Sequence, residues 1–86
     1  MDKEQFEEYI NDGYIVRTNV GMDDIASWNE AIEYFMGYKS RIENAEDEGE
    51  RNELVDTYKI VIYEDENDDS GFDELTYDDV DLTEVN

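Results

Sequence analysis

The chain of 86 residues contains no cysteine, no histidine and no proline. Without cysteine there is no disulfide to staple a small domain, and without Cys or His the usual donors of a structural zinc site are missing. With no proline there is no proline-rich linker, and no internal repeat is visible. Basic residues are almost as scarce: six Lys or Arg stand against 27 Asp or Glu, a formal net charge of −21. Nor does any apolar run approach the ~20 residues needed to cross a bilayer. Met1-Asp2-Lys3-Glu4-Gln5 is neither basic nor followed by an apolar stretch, so it does not read as a signal peptide. An acidic body is also repelled by anionic membrane surfaces. The expectation is a soluble protein of the cytoplasm that needs no cofactor and no metal.

What is present argues against a floppy polyanion. Apolar and aromatic residues make up 38% of the chain, including seven Tyr, three Phe and one Trp. That is enough to form a modest core in one domain spanning residues 1–86, although a domain this small is marginal on surface-to-volume grounds. Packing alone must then oppose repulsion that salt screens only beyond roughly 8 Å, so salt is expected to stabilise the fold.

Periodicity lays out the elements. Phe6, Tyr9 and Ile10 fall on one side of a helix running from Asp2 to Asn11, which Asn11-Asp12-Gly13 stops. The β-branched and aromatic stretch from Tyr14 to Val20 predicts a strand. Ile25, Trp28, Ile32, Phe35 and Ile42 recur at helical spacing and predict a second helix, starting at Asp23/Asp24 or at Ser27, where Glu30 completes a capping box. Gly37 is a candidate interruption. Read as the end of that helix, residues 43–50 put acids where the macrodipole disfavours them, a local cost without a folding rationale. Tyr58 to Tyr63 is apolar on both faces and predicts a central strand. After the loop 64–71, Phe72 onward returns as its antiparallel partner, with residues 79–86 extending it or fraying. The fold class is α+β: a small antiparallel sheet of about three strands, helices on one face, in the order α-β-α-β-β.

The acids are unevenly spread. Residues 56–86 hold twelve of them against one base, Lys59. Two carboxylates can do general acid–base chemistry, but a glycosidase cleft is rarely built from a chain this short. No nucleophile elbow or phosphate loop is present either, so no catalytic residue is assigned and the chain is not expected to be an enzyme. Asp65, Asn67 and Asp69 fit positions 1, 3 and 5 of an EF-hand loop. Ser70 and Thr76 then stand where Gly and Glu are required, so no metal site is assigned.

The same acids suit mimicry of nucleic acid. A charge of −21 equals that of roughly 10 base pairs of duplex. Alternate strand residues lie about 6.5–7 Å apart and helical i, i+4 neighbours about 6 Å apart, comparable to phosphates along one DNA strand. A run of charge is ordinarily a solvated face, but a small soluble domain carries a net charge of about 2–8 in magnitude, which this chain exceeds severalfold. The expected contact face comprises Asp65, Glu66, Asp68, Asp69, Asp73, Glu74, Asp78, Asp79 and Asp81, with Tyr63, Phe72 and Tyr77 available to stack on arginine planes. Glu43, Glu46, Asp47, Glu48, Glu50 and Glu53 form a second acidic face.

With this charge, an α/β layout and an acidic C-terminal half, the chain resembles the bacteriophage DNA-mimic inhibitors, most of all the small acidic anti-CRISPR proteins. The resemblance covers composition and element order and contains no shared motif. It implies a compact domain, monomeric or a small homo-oligomer, acting in the bacterial cytoplasm. It further implies a basic nucleic-acid-binding protein as partner, with no direct binding of nucleic acid: a type II CRISPR effector whose PAM-reading arginines meet carboxylates. Phage inhibitors of restriction or DNA-repair enzymes use the same physical strategy. An acidic module for a basic nucleoid-type protein is the alternative from a different class.

Overall fold

The computed structural model describes residues 1–80 and residue 82. Helix α1 (Lys3–Asn11) begins at Asp2, whose carboxylate accepts from the Gln5 amide at 2.9 Å, and buries Phe6. Such caps contribute about 1 kcal/mol each. Strand β1 (Ile15–Thr18) follows, then α2 (Trp28–Glu43), α3 (Glu48–Thr57), β2 (Ile60–Tyr63), β3 (Asp73–Leu75) and a 3-10 turn at Tyr77–Asp79. The sheet is antiparallel in the order β1-β2-β3. The doubly apolar strand is therefore the central one, as its sequence requires.

Register explains the layering. Val16 pairs with Ile62, Thr18 with Ile60, and Ile60 with Leu75, so these five share one face. All five are buried, and the apolar four pack with Phe6 of α1 and Ala31 and Phe35 of α2 in one core cluster. The helices thus cover this face. Val61 and Glu74 pair on the other.

The helical segment between β1 and β2 is divided in two. Helix α2 starts at Ser27, whose hydroxyl accepts from the Glu30 amide at 3.2 Å, while the Glu30 carboxylate reaches back to the Ala26 amide at 2.7 Å. It runs straight through Gly37 and ends at Glu43. Asp47 then caps α3, accepting from the Glu50 amide at 2.7 Å, and Glu50 accepts from the Glu46 amide at 3.1 Å. Glu48 and Glu50 lie in a first turn, where the helix dipole favours anions. The dipole cost expected for residues 43–50 as a helix end therefore holds for Glu43, the last residue of α2, and is corrected for Glu46, Asp47, Glu48 and Glu50, which stand at the start of α3. Ile25 is corrected as well. It is buried but lies ahead of α2, and its amide donates to the Val16 carbonyl at 2.9 Å beside the Arg17–Asp24 bridge.

Beyond β3, Asp79 is held in place: its carboxylate accepts from the Thr76 amide at 2.9 Å and the Thr76 hydroxyl at 3.1 Å. Val80 and Leu82 pack partly buried against the core. The remainder of the 79–86 stretch, residues 81 and 83–86, lies outside the described residues.

Candidate partner-binding surface

The expected contact face divides by what each carboxylate already holds. Asp68 folds the loop between β2 and β3 around itself. Its oxygens accept from the Glu64 amide (3.1 Å), the Ser70 amide (3.2 Å) and the Gly71 amide (3.1 Å). These amide hydrogen bonds, that of Glu64 first, hold its carboxyl below the usual aspartate range. Asp65 accepts from the Asn67 amide at 2.8 Å. Gly71 closes the loop with φ +87, and a Cβ there would stand 2.5 Å from Val61 Cγ1, so only glycine lets the loop lie against the sheet.

Asp73 accepts from the Glu74 amide at 2.8 Å and the Tyr9 hydroxyl at 3.1 Å. With Asp79 on the Thr76 amide, two amides of the β3 edge are occupied by side-chain carboxylates. The edge is only three residues long and is blunted against pairing with another strand. Glu74 is ion-paired with Lys59 at 2.9 Å, and this hydrogen bond is the main reason the Lys59 ammonium is held above its usual range. Asp78 is gripped bidentately by Arg51 and titrates below the usual range for that reason. Glu66 and Asp69 stand exposed on the loop with no side-chain partner among the described residues, whereas Asp81 lies outside them.

The three aromatic residues differ in the same way. Phe72 is 54% exposed. Tyr63, at the end of β2, is half-buried and lies beside Val61 on the floor of a groove of about 370 Å³ on the sheet face away from the helices, with Asp69 on its rim. Tyr77 packs against Phe35, and burial, followed by the Glu43 carboxylate, raises its phenol.

The second face meets the first. Arg51 of α3 binds Asp78, and Glu43 at the end of α2 lies within electrostatic reach of Tyr77. Acids on α3 and on the 3-10 turn therefore belong to one surface. Asp47 and Glu50 are committed to the start of α3, whereas Glu46, Glu48 and Glu53 are exposed. A third row, outside both faces expected from the sequence, runs along α1. Glu4, Glu8 and Asp12 recur every four residues and line a groove of about 310 Å³ with Tyr9 and Tyr14. Their i, i+4 spacing is the signal by which sequence reasoning could have found them.

The body measures 38 × 31 × 19 Å between Cα atoms. With Asp81 and Glu84 outside the described residues, it carries 25 acids and six bases, a net −19. A duplex 38 Å long carries about 22 charges at one per roughly 1.7 Å. Among the described residues, no group of three or more His, Cys, Asp or Glu converges as a metal-binding set, and no helix is long and apolar enough to cross a membrane. Comparison with protein-family models, curated proteins and solved structures finds no match.

Proposed function

We propose that the chain is a protein mimic of nucleic acid, an inhibitor that occupies the basic groove of a DNA-binding enzyme. The observation that carries this is linear charge density. A net −19 along 38 Å is close to that of duplex DNA, and it is mounted on a folded body rather than a flexible tail. Carboxylates held by a scaffold are preorganised, so a groove of Arg and Lys gains steering and charge-assisted hydrogen bonds without first ordering its ligand.

The contact is carried by exposed carboxylates: Glu66 and Asp69 on the loop, Glu46 just ahead of α3, Glu48 and Glu53 on it, and Glu74, which is ion-paired with Lys59. Asp68, Asp73 and Asp79 hold the loop and the β3 edge in shape, and Asp78 ties that edge to α3. The first target is a type II CRISPR effector, whose PAM-reading arginines bind acceptors on guanine edges. Restriction and DNA-repair enzymes present comparable basic grooves and come next. The site of action is then the bacterial cytoplasm, and the protein itself does not bind nucleic acid.

Charge reversal tests the assignment. The double variant Glu66→Lys/Asp69→Lys is expected to keep its thermal midpoint, since neither side chain has a partner among the described residues, and to lose at least tenfold in inhibition of the target nuclease. Full inhibition by a folded double variant rules out this face.

A further inference from the structure

Arginine meets aromatic rings in a recurring way in this fold. Arg51 lies 5.9 Å from the centre of the Tyr77 ring while both its terminal nitrogens bind Asp78. Arg41 lies 5.8 Å and 5.6 Å from the Tyr38 and Tyr58 rings, themselves stacked at 4.1 Å, and donates to the Tyr58 hydroxyl at 2.7 Å. In both places a guanidinium stands within 6 Å of aromatic ring centres while an oxygen accepts from its N–H groups, both terminal nitrogens for Arg51 and one for Arg41.

The aromatic cluster that reaches the surface at Phe72 has no arginine beside it among the described residues. Tyr9, Tyr14 and Phe72 meet with ring centres 4.9, 6.0 and 5.5 Å apart. The Phe72 ring is more than half exposed. Its partners Tyr9 and Tyr14 line the α1 groove together with Glu4, Glu8 and Asp12, while Phe72 stands against both rings at the edge of the sheet-face groove. No arginine is left for the position: Arg41 and Arg51 are placed as above, and Arg17 pairs with Asp24 at 3.0 Å. The carboxylates of Glu8 and Asp12 accept no hydrogen bond from another side chain among the described residues, whereas the Tyr9 hydroxyl is anchored to Asp73, which fixes its ring.

We propose that the Tyr9–Tyr14–Phe72 cluster and the α1 acid row form a slot for an arginine side chain of the partner protein, ring faces against the guanidinium and Glu8 or Asp12 accepting its N–H groups. Charge complementarity selects a basic occupant, and the aromatic faces select arginine over lysine. A planar, weakly hydrated guanidinium stacks on a ring and still forks to a carboxylate, whereas an ammonium is a compact, strongly hydrated point charge. This rests on the proposed inhibitor and deepens it, by naming a partner residue type and by extending the first face from Phe72 onto the acid row of α1, which neither expected face contains.

The test uses the full chain with hexa-arginine and hexa-lysine at equal ionic strength, affinity and ring chemical shifts being read by NMR. Hexa-arginine is expected to bind roughly fivefold tighter, with the largest shifts at Phe72, Tyr14 and Tyr9. Phe72→Leu keeps apolar bulk but removes the ring. It should bring the ratio close to one and leave hexa-lysine affinity unchanged within about twofold. Glu8→Gln should weaken hexa-arginine more than hexa-lysine. Equal affinity of the two peptides overturns the slot, as does a preference that survives Phe72→Leu or shifts centred on the 64–70 loop. Because no nuclease or DNA enters the measurement, its failure is separate from a failure of the mimicry itself.

Discussion

Arg51 straddles the Asp78 carboxylate, Nη2 2.7 Å from Oδ1 and Nη1 3.1 Å from Oδ2, tying α3 to the turn that follows β3. In a chain of net −21 the two partners are not equivalent. Replacing Arg51 removes one of few cations, whereas replacing Asp78 also relieves repulsion.

Arg51→Gln is therefore expected to lower the thermal midpoint more than Asp78→Asn does. The gap should close in 1 M salt, where screening acts within about 3 Å. The pH dependence has a fixed sign. The Asp78 carboxyl is depressed in the folded state by Arg51, so its contribution is present above the unfolded value of 3.8 and is lost as pH falls through the lower folded value. Melts of the wild type and Asp78→Asn should converge in strong acid. A gap unchanged by salt, or one that grows below pH 3, contradicts this.

Two glycines should respond in opposite directions. Gly37 sits within α2 on an exposed face, and a Cβ added there would meet nothing within 4 Å, so Gly37→Ala should stabilise by about 0.5–1 kcal/mol. Gly71, at φ +87 and against Val61, should lose about 2 kcal/mol or more as Ala, through left-handed strain and overlap. Chemical denaturation measures both.

The Tyr34 hydroxyl is buried and has no hydrogen-bond partner among the described residues. Burial is the main cause of the rise of its pKa from 10.0 to about 12. Tyr34→Phe removes an unsatisfied group and should gain about 1 kcal/mol, roughly 4–8 °C in a domain this size. Below pH 10 the phenol is neutral in both states. Between 10 and about 12 only the unfolded chain ionises there, so stability falls as pH rises, and the variant should flatten that fall. A destabilised variant would mean the hydroxyl has a partner.

Much of the fold is legible in the residues. Ser27 and Glu30 mark the start of α2, and the doubly apolar Ile60–Tyr63 marks the central strand. The division between α2 and α3 is harder to see, because Glu43 to Glu50 continues a helix-compatible composition. The signal that resolves it is Asp47 with Glu50, a capping pair within an acidic run. The contact face is less legible for a related reason. Asp68, Asp73 and Asp79 bind backbone amides whose directions depend on loop geometry, so counting acids cannot separate those that shape the fold from those left free. The α1 row is visible in spacing alone, but its aromatic neighbour Phe72 comes from the opposite end of the chain, and only the fold brings them together.

Mutual exclusion tests mimicry most directly. A guide-loaded type II CRISPR effector, a restriction endonuclease and a uracil-DNA glycosylase are each titrated with the protein, with their own duplex substrate, and with both together. The account predicts that at least one enzyme binds the protein or the duplex but never both, with protein affinity falling steeply from about 50 to about 500 mM salt as phosphate contacts do. A ternary complex on every enzyme that binds, affinity flat across that salt range, or no binding to any of the three would contradict it.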